Sequence, residues 1–289
     1  MRRAPVMLTG ASTGIGFAIV ENLLAAGYSV LAGVRREQDA ARLGSLGGGR
    51  CRPLMLDVAS PEDRLRIRAE IAGLVGEEGL GGLVHNAGLA VFQPVEGLDD
   101  DLLLQQFQVN VFGAVALTRD LLPHLRRAKG TVVHVSSLAG NIAQPYFGAY
   151  AASKWALEAF TDALRIEVAP QGVKVVSIQP GAIATPIWQK SLAQARARHG
   201  ALPQELAEFY GADLEHLARG AAMLGARGLS PRRVAAVVRK ALEARSPRAR
   251  YRVGPDARLG PWLRVIPDGL RDALLRRVLG LGRHGGGRG

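Results

Sequence analysis

Runs of apolar residues with the length of buried strands alternate with amphipathic segments of helix length along most of this chain. The apolar runs predict strands at residues 5–9, 28–34, 51–57, 81–85, 131–136, 173–179 and 250–253. The segments between them predict helices at about 14–26, 37–46, 61–76, 98–127, 150–169 and 231–244. Strands that are apolar throughout and separated by helices are typical of a parallel sheet covered on both faces. Right-handed crossovers then give a single doubly wound α/β sheet of the Rossmann type, with about seven strands.

One stretch, residues 186–230, interrupts this alternation before the last long helix. It is rich in Ala and Leu and contains Pro203 and several glycines, so it predicts short helices with loose joints. An insertion of this size is often a lid over a binding site. A surface excursion without a role remains the alternative.

Composition and charge indicate a neutral globular body and a separate basic end. The chain has 289 residues, of which 48% are hydrophobic, an ordinary value for a globular protein. Residues 1–226 carry 21 Lys+Arg and 21 Asp+Glu, whereas residues 227–289 carry 16 and 4, so the whole net charge of +12 lies in the last 63 residues. The body therefore lacks the basic face expected of a nucleic-acid-binding protein.

Cysteine usage and hydropathy favour a soluble cytoplasmic protein. The single cysteine, Cys51, cannot form an internal disulfide, which favours a reducing compartment. No run approaches the ~20 apolar residues of a membrane span. The N-terminus leads into the first predicted strand without the pattern of a signal peptide, and the sequence predicts no metal site.

The basic end contains one amphipathic segment, residues 268–279. Asp268 is a plausible N-cap and Gly280 a plausible stop. Apolar residues recur there at four-residue spacing, with arginines on the other faces: Leu270, Leu274 and Val278. We expect this face to dock on its own domain or on a partner subunit, because amphipathic helices usually cover a core. Contact with an anionic membrane surface is the alternative.

The most distinctive chemistry lies in the fifth predicted helix and just before it. Tyr150 and Lys154 are four residues apart and share one helix face, and Ser137 follows the strand predicted at 131–136. A phenol titrates near ~10, and a nearby ammonium lowers that pKa. We therefore expect Tyr150 to act as an acid or base near neutral pH, while Ser137 holds a substrate oxygen. Alone, this spacing is a frequent coincidence.

A glycine-rich turn joins the first predicted strand to the first predicted helix. It reads Thr9-Gly10-Ala11-Ser12-Thr13-Gly14-Ile15-Gly16. Such glycines let the backbone turn sharply and approach a pyrophosphate closely, with the helix N-terminus facing the phosphates. The position between strand and helix distinguishes it from an ordinary tight turn.

The second predicted strand ends at two arginines, Arg35 and Arg36, where an NAD site usually has an acidic residue. Arginine can accommodate the 2′-phosphate of NADP, and Ser12 could donate to the same phosphate. A solvated turn is the alternative. This chemistry favours NADP(H) as the cofactor, with NAD(H) as the second choice.

In combination these motifs resemble the short-chain dehydrogenase/reductase family over about residues 4–255. The matching pieces occur in order: the glycine-rich turn, Asp57-Val58, Asn86-Ala87-Gly88, Asn110, Ser137, Tyr150-x-x-x-Lys154 and Pro180-Gly181-x-x-x-Thr185. The resemblance implies an NAD(P)-binding domain at 1–255, with 186–230 as its substrate lid, followed by a basic extension at 256–289. Within the family, the chain is similar to hydroxysteroid and retinol dehydrogenases. We also expect it to form a homo-oligomer.

The resemblance implies a role for each matching residue. The catalytic set is Asn110, Ser137, Tyr150 and Lys154. The cofactor-binding set is Gly10, Ser12, Gly14, Ile15, Gly16, Arg35, Arg36, Asp57, Val58, Asn86, Ala87, Gly88, Tyr150, Lys154, Pro180, Gly181, Ile183 and Thr185. Asp57 would bind the adenine amino group, and Asn110 would hold a proton-relay water through a local helix distortion. His85 departs modestly from the family pattern and is interpreted as a packed residue at a strand end.

The implied reaction is hydride transfer between a nicotinamide and a ketone, aldehyde or alcohol. Tyr150 would exchange a proton with the substrate oxygen, and Lys154 would lower the phenol pKa and bind the nicotinamide ribose. Ser137, Tyr146, Phe147, Tyr150 and Trp188 are the predicted substrate pocket, with further candidates at Val91, Phe92, Ile187, Phe209 and Tyr210. Their apolar character favours a lipophilic steroid-, retinoid- or lipid-like substrate, although each could be core. A non-catalytic dinucleotide-binding sensor or scaffold is the alternative function.

Overall fold

The seven predicted strands form one parallel sheet. In a computed structural model, which describes residues 4–199 and 203–281, the strands are β1 (Val6–Leu8), β2 (Val30–Val34), β3 (Cys51–Met55), β4 (Gly82–His85), β5 (Thr131–Val135), β6 (Lys174–Pro180) and β7 (Arg250–Val253). Their order is β3-β2-β1-β4-β5-β6-β7, and every neighbouring pair is parallel. The prediction of a doubly wound sheet is confirmed.

Helices cover both faces of this sheet. They are α1 (Gly14–Ala25), α2 (Glu37–Gly44), α3 (Pro61–Val75), α4 (Asp100–Phe107), α5 (Gly113–Ala128), α6 (Gly148–Val168), α7 (Pro186–His199), α8 (Gln204–Arg227), α9 (Pro231–Glu243), α10 (Pro255–Leu259) and α11 (Asp268–Leu279). Short 3₁₀ turns lie at Gly47–Gly49, Val95–Gly97, Leu138–Gly140, Ala169–Gln171 and Gly260–Val265.

The two faces of the sheet build two separate hydrophobic cores. Val84 and Val133 pack with α1 and α9 on one face. The preceding residues of the same strands, Leu83 and Val132, pack with α3 and α5 on the other face. Successive side chains of a strand point to opposite faces, so a strand buried on both faces must be apolar at every position. This burial explains the continuous apolar runs in the sequence.

The helix predicted at 98–127 is one continuous rod with a π-helical segment at Gln108–Phe112 between α4 and α5. Such single-turn π segments insert one residue and are frequent at functional sites. The distortion that the family resemblance implied at Asn110 therefore lies at the expected position. Apolar periodicity cannot reveal it, because one extra residue barely changes the pattern of a helix.

The prediction of short, loosely joined helices at 186–230 is wrong. The stretch forms two longer helices, α7 with 14 residues and α8 with 24. An interior glycine costs a helix only ~1 kcal/mol relative to alanine, which the Ala, Leu, Glu and Gln of α8 and its packing outweigh. Gly225 of α8 lies directly against the side chain of Trp188 on α7, so this glycine serves close packing of the two helices.

Packing continues past the predicted domain boundary at residue 255. Asp256 accepts a hydrogen bond from the backbone N–H of Ala182 at 2.6 Å. Ala257 is buried, and Gly260 packs directly on Leu138. The start of the predicted extension is therefore part of the folded body.

The last helix, α11, begins and ends close to the predicted residues but presents a different face to the protein. Pro267 precedes it, so Asp268 is its first helical residue and not its N-cap, and Gly280 ends it in the left-handed conformation. Leu275 and Leu279 are its partly buried leucines. The predicted stripe is exposed instead: Leu270, Leu274 and Val278. The expectation that this stripe docks on its own domain is wrong. Among the described residues, no helix has both the length and the hydropathy needed to cross a bilayer.

Candidate active site

The loops that follow β1, β4, β5 and β6 meet at the carboxyl edge of the sheet and border a cleft of about 610 Å³. Most predicted site residues line it: Gly10, Ser12, Gly14, Ile15, Arg35, Arg36, Asp57, Val58, Asn86, Ala87, Gly88, Ser137, Tyr150, Lys154, Pro180, Gly181, Ile183, Thr185 and Trp188. Gly16 and Asn110 are buried behind its wall. The structure thus brings together residues that are up to 178 positions apart, from Gly10 to Trp188.

The glycine-rich turn is held against the end of β4 by contacts that leave no room for side chains. Gly10 has a φ of +66°, and a Cβ there would lie 2.8 Å from the Cα of Ala87. A Cβ on Gly16 would collide with the carbonyl oxygen of Gly10. The side-chain amide of Asn86 donates to that same carbonyl at 2.9 Å. Thr9, through its hydroxyl oxygen, accepts from the backbone N–H groups of Asn86 and Ala87 at 3.1 Å each.

The N-terminus of α1 faces the cleft without a side-chain cap. Thr13 is its N-cap residue but makes no capping hydrogen bond, and no acidic residue lies in the first turn. The first-turn N–H groups and the positive end of the helix dipole are therefore available to an anion. Thr185, from the segment after β6, lies directly beside Gly14. This cradle fits the diphosphate of a dinucleotide.

Two arginines extend the cradle at the end of β2. The Arg35 side chain is 71% exposed and lies 3.9 Å from the carboxylate of Asp57. Arg36 is also largely exposed, and its Nε donates to Asp39 at 2.9 Å. Both present donors at the rim of the cleft, which suits a phosphate.

Sequence analysis missed a clamp that fixes this rim. Asp39 of α2 is buried and accepts from both Arg36 and Arg42, the latter at 3.3 Å. Arg42 also donates to the backbone carbonyl of Ser12 in the glycine-rich turn and lies over the ring of Phe17. Arg36 and Arg42 lie three residues before and after Asp39, and this spacing was the signal for the clamp in the sequence, since residues three apart face each other on a helix.

The predicted catalytic groups meet at the floor of the cleft. The hydroxyl of Ser137 lies beside the phenol of Tyr150 and opposes the rise of the phenol pKa, and its Oγ accepts from the backbone N–H of Ala139 at 3.1 Å. Lys154 is buried, and its Nζ donates to the carbonyl of Val135 at 3.0 Å. That Nζ lies 5.8 Å from the centre of the Tyr150 ring.

The pKa of Tyr150 does not follow the expectation that Lys154 lowers it. Burial raises the pKa of the Tyr150 phenol above its usual value, and the hydrogen bond from Ser137 opposes that shift. Burial also lowers the pKa of Lys154, to about 8. The desolvation cost of a buried phenolate outweighs an ammonium that bonds to the Val135 carbonyl instead of the phenol oxygen.

Asn110 ties the π-helical segment to two other parts of the site. Its side-chain oxygen accepts from the backbone N–H of Leu89 at 2.9 Å. Its amide donates to the Leu89 carbonyl and to Ser153 of α6, both at 3.0 Å. Gln106 holds the same loop through Val91 and Leu89 at 2.9 Å each, a role that sequence reasoning missed. These two amides fix the loop after β4, and the water-holding role of Asn110 stays a prediction.

The predicted substrate pocket divides into two groups. Ser137, Tyr150 and Trp188 line the cleft, as do the further candidates Val91 and Ile187. Tyr146 and Phe147 pack instead in an aromatic cluster with Phe92 and Tyr210, and Phe209 is 72% exposed. Lining residues that the sequence did not indicate are Leu89, Ala90, Leu102, Gln105, Val109, Ser191 and Gln194.

The aromatic cluster connects α8 to the body of the protein. Tyr146 has a φ of +66°, which is strained for a residue with a side chain. Its hydroxyl donates to Asp213 of α8 at 3.2 Å. Tyr210 of α8 donates in the same way to Glu96 at 2.7 Å. Two tyrosine–carboxylate bonds thus fasten α8 beside the cleft.

Comparison with known proteins agrees with this geometry. The family model for short chain dehydrogenase matches residues 4–196. The chain is 36% identical over 279 residues to an NADPH-dependent 3-dehydrocapnine reductase from Ornithobacterium rhinotracheale, covering 94% of this chain and 96% of that protein. It is 34% identical over 282 residues to retinol dehydrogenase 5 from Mus musculus, covering 95% of this chain and 88% of that protein.

A solved structure shows the same fold over nearly the whole chain. The crystal structure of a short chain dehydrogenase from Burkholderia cenocepacia in complex with NADP superposes with a TM-score of 0.72 at 25% identity. The match covers 95% of this chain and 98% of that one.

Replacing Gly16 by Ala tests the cradle. The new methyl group would collide with the Gly10 carbonyl, so the turn must shift away from the position that admits a diphosphate. We expect the dissociation constant for NADPH, measured by fluorescence titration, to rise by about tenfold or more, equivalent to ~1.4 kcal/mol. Gly220→Ala in α8, where a Cβ meets nothing within 4 Å, is the control. Unchanged affinity in Gly16→Ala would contradict the assignment of the cradle.

Proposed function

The chain belongs to the short-chain dehydrogenase/reductase family and is an oxidoreductase acting on CH–OH groups, and on that premise we propose that it is an NADP(H)-dependent enzyme interconverting a lipophilic ketone or aldehyde with its alcohol. The observation that carries the proposal is the meeting of Ser137, Tyr150 and Lys154 on the floor of one cleft, next to a diphosphate cradle. Loops that follow separate strands bring glycines, arginines and hydroxyl groups to this cleft.

In the proposed reaction Ser137 and Tyr150 act on the substrate oxygen. The Ser137 hydroxyl holds the carbonyl oxygen, and the Tyr150 phenol donates its proton to it. Burial raises the pKa of Tyr150, so the phenol remains protonated at neutral pH and is ready as an acid. When bound, the nicotinamide supplies or accepts the hydride. In alcohol oxidation the tyrosinate takes the proton instead.

Lys154 and the residues around the cradle would hold the cofactor. With a pKa of about 8, the amine of Lys154 is charged at neutral pH and suited to bind the nicotinamide ribose. We assign the adenine end to Asp57 and Val58 and the carboxamide end to the segment from Pro180 to Thr185, which line opposite parts of the cleft.

The preference for NADP(H) is supported by charge at the end of β2. Arg35 and Arg36 offer exposed donors beside Ser12, and the acidic residue typical of NAD sites is replaced there by arginine. The name of the 3-dehydrocapnine reductase and the NADP-bound solved structure support the same cofactor.

The lipophilic substrate is supported by the lining of the substrate end of the cleft. Apolar side chains dominate it: Leu89, Val91, Leu102, Val109, Ile187 and Trp188. Gln105, Ser191 and Gln194 are its polar members and offer hydrogen bonds to a substrate that carries one polar end. We also propose that α7 and α8, within residues 186–230, form the lid, because α7 contributes Ile187, Trp188, Ser191 and Gln194 to the wall.

A non-catalytic dinucleotide sensor on the same fold is the second candidate. A sensor has no need of Ser137, Tyr150 and Lys154 together in the lining of one cleft, so their convergence favours the enzyme.

We also propose that the enzyme is cytoplasmic and homo-oligomeric. For the compartment, the single cysteine, Cys51, is buried, and that burial raises the pKa of its thiol to about 11. For the oligomer, exposed apolar side chains such as Phe112 and Ile166 favour association with a second copy.

The exposed stripe of α11 is proposed to contact an anionic membrane surface. Leu270, Leu274 and Val278 are 66%, 41% and 72% exposed, and Arg276 and Arg277 lie in the last turn of the same helix. Apolar residues flanked by arginines suit the boundary between acyl chains and acidic headgroups. The charge excess of the last 63 residues points to the same kind of surface.

Tyr150→Phe tests the chemistry. It removes the proton donor but leaves the ring, so we expect reduction of every ketone in a panel graded by size and polarity to fall by at least about 10²-fold, the scale of general acid catalysis. NADPH binding should persist, which separates a catalytic from a structural effect. Full activity in this variant would refute the assignment, and preference for small polar ketones would refute the lipophilic substrate.

Replacing both Arg35 and Arg36 by Ala tests the cofactor preference. Charge-assisted hydrogen bonds are worth about 1.5–3 kcal/mol each, so losing one from each arginine should raise the KM for NADPH by about 10²-fold or more, while the KM for NADH changes little. Arg52→Ala is the control, because Arg52 is an exposed arginine of β3 that pairs with Glu70. A wild-type enzyme with a lower KM for NADH than for NADPH would contradict the proposed preference.

Vesicle co-sedimentation tests the membrane proposal. We expect full-length protein to bind vesicles rich in phosphatidylserine, and to lose that binding when Leu270, Leu274 and Val278 are all changed to Glu. Leu65→Glu, at another exposed leucine, is the matched control. Vesicle binding by the triple variant equal to that of the full-length protein would contradict the membrane proposal. Loss of oligomers in light scattering, with vesicle binding absent throughout, would assign the stripe to a partner subunit instead.

A further inference from the structure

A row of polar side chains crosses four strands of the sheet beneath the catalytic residues. Its members are register partners on β4, β5, β6 and β7: His85, His134, Ser177 and Arg250. The first three are buried, and the two imidazole rings stack with their centres 5.0 Å apart. Buried polar groups are costly unless they are hydrogen-bonded, so the partners of this row show what it supports.

The partners all come from the helices on one face. His85 bonds to Thr118 of α5 at 2.7 Å, and His134 bonds to Thr161 of α6 at 2.8 Å. The Ser177 end of the row is different, because its partner is a carboxylate, Glu158 of α6.

Glu158 is buried and has both carboxylate oxygens occupied. Oε1 accepts from the hydroxyl of Ser177 at 2.5 Å, and Oε2 accepts from Nε of Arg250 at 3.0 Å. Arg250 also donates to Asp162, one turn further along α6, at 2.5 Å. The carboxylate is therefore fixed in position from β6 and β7 at once.

Glu158 lies one helical turn after Lys154, on the same face of α6. Lys154 is 5% exposed, and its Nζ donates to the neutral carbonyl of Val135. Burial lowers the pKa of Lys154, and the charge of Glu158 acts in the opposite direction. A buried amine without an opposite charge would give up its proton near neutral pH.

The other groups around Lys154 do not supply that negative charge. Tyr150 on its own helix is held protonated by burial. His134 on β5 is neutral, since burial and the charge of Lys154 lower its pKa to about 3. Ser136, the residue after β5, is uncharged and buried, and the loop after β4 and the π-helical segment present Gly88 and the amide of Asn110. The guanidinium of Arg250 lies behind Glu158 and has the same sign as Lys154.

We propose that Glu158 is a positioning residue for the reaction, which keeps the buried amine of Lys154 in its charged form, and that Ser177 and Arg250 hold Glu158 there. The proposal rests on the proposed function, in which the charged Lys154 binds the nicotinamide ribose and assists Tyr150. It makes the edge strand β7 part of the support of the active site, although none of its residues lines the cleft.

A purely structural role for Glu158, as an anchor between α6 and β7, is the competing explanation. Asp162 allows the positioning role and the structural role to be distinguished. It lies on the same helix, pairs with the same Arg250 at 2.5 Å and anchors the same strand, but the charge that acts on Lys154 is that of Glu158.

The test compares Glu158→Gln with wild type across pH. The amide keeps the shape and one acceptor oxygen but removes the charge, so Lys154 loses its proton at lower pH. We expect the alkaline decline of kcat/KM for ketone reduction to move down by about one pH unit. The dissociation constant for NADPH should rise at correspondingly lower pH, and this readout does not depend on turnover.

Asp162→Asn is the matched control. It should leave at their wild-type values the pH midpoints of the decline in kcat/KM and of the rise in the NADPH dissociation constant, whatever it does to the melting temperature. Ser177→Ala provides a second variant if Glu158→Gln does not fold. It removes the hydroxyl that donates to Oε1 of Glu158 and changes no charge, so the carboxylate is held less firmly and the decline should move to lower pH as well. Unmoved midpoints in Glu158→Gln or in Ser177→Ala, or an equal shift in Asp162→Asn, would each overturn the proposal. If wild type binds no NADPH, the proposed function fails and this inference fails with it. If wild type is active and binds NADPH, but Glu158→Gln leaves the pH profile of kcat/KM unchanged, only this inference is overturned.

Discussion

Strands β1, β4, β5 and β6 run parallel and end at one edge of the sheet, and this alignment brings together the loops that border the cleft. Each strand delivers a loop to that edge: the glycine-rich turn, the Asn86 turn, Ser137 and the segment from Pro180 to Thr185. In an open parallel sheet such loops border a crevice where ligands bind. The close contacts of Gly10 and Gly16 with each other and with the turn after β4 leave no room for a side chain at either position. A side chain at either position would widen the turn and displace the cradle from the catalytic floor.

Burial governs the electrostatics of that floor. Tyr150 and Lys154 are both moved toward their neutral forms by desolvation, the phenol upward and the amine downward. A proton donor benefits from this shift, because the phenol keeps its proton until the substrate oxygen requires it. In the proposed mechanism the amine of Lys154 must stay charged, since the ammonium makes stronger hydrogen bonds to a ribose than the neutral amine and favours a tyrosinate. The carboxylate of Glu158, held by Ser177 and Arg250, is the group placed to resist deprotonation of the lysine.

Particular residues show where sequence reasoning succeeded and where it failed. The strands were predictable because burial on both faces demands apolar residues at every position, as at Leu83 and Val84. The α8 helix was not, because interior glycines such as Gly220 read as breaks although each costs a helix little. Asp39, Arg42 and Glu158 were missed because they act through partners on other elements. The stripe of α11 was assigned to docking from its spacing, but the spacing of apolar residues does not say which side of a helix meets the body.

The sequence by itself determined the strands, their parallel arrangement in one sheet and the set of groups that could carry hydride-transfer chemistry. Those properties depend on local periodicity and on residue types at motif positions, which are visible one segment at a time. Only the tertiary structure decided the protonation state of Tyr150, the partners of Lys154 and the separation of Tyr146 and Phe147 from the cleft wall. Desolvation and hydrogen bonding depend on what other elements bring within a few ångströms. Glu158 illustrates the difference: in the sequence it is one acidic residue on a helix, and in the fold it is a buried charge one turn from the buried amine of Lys154.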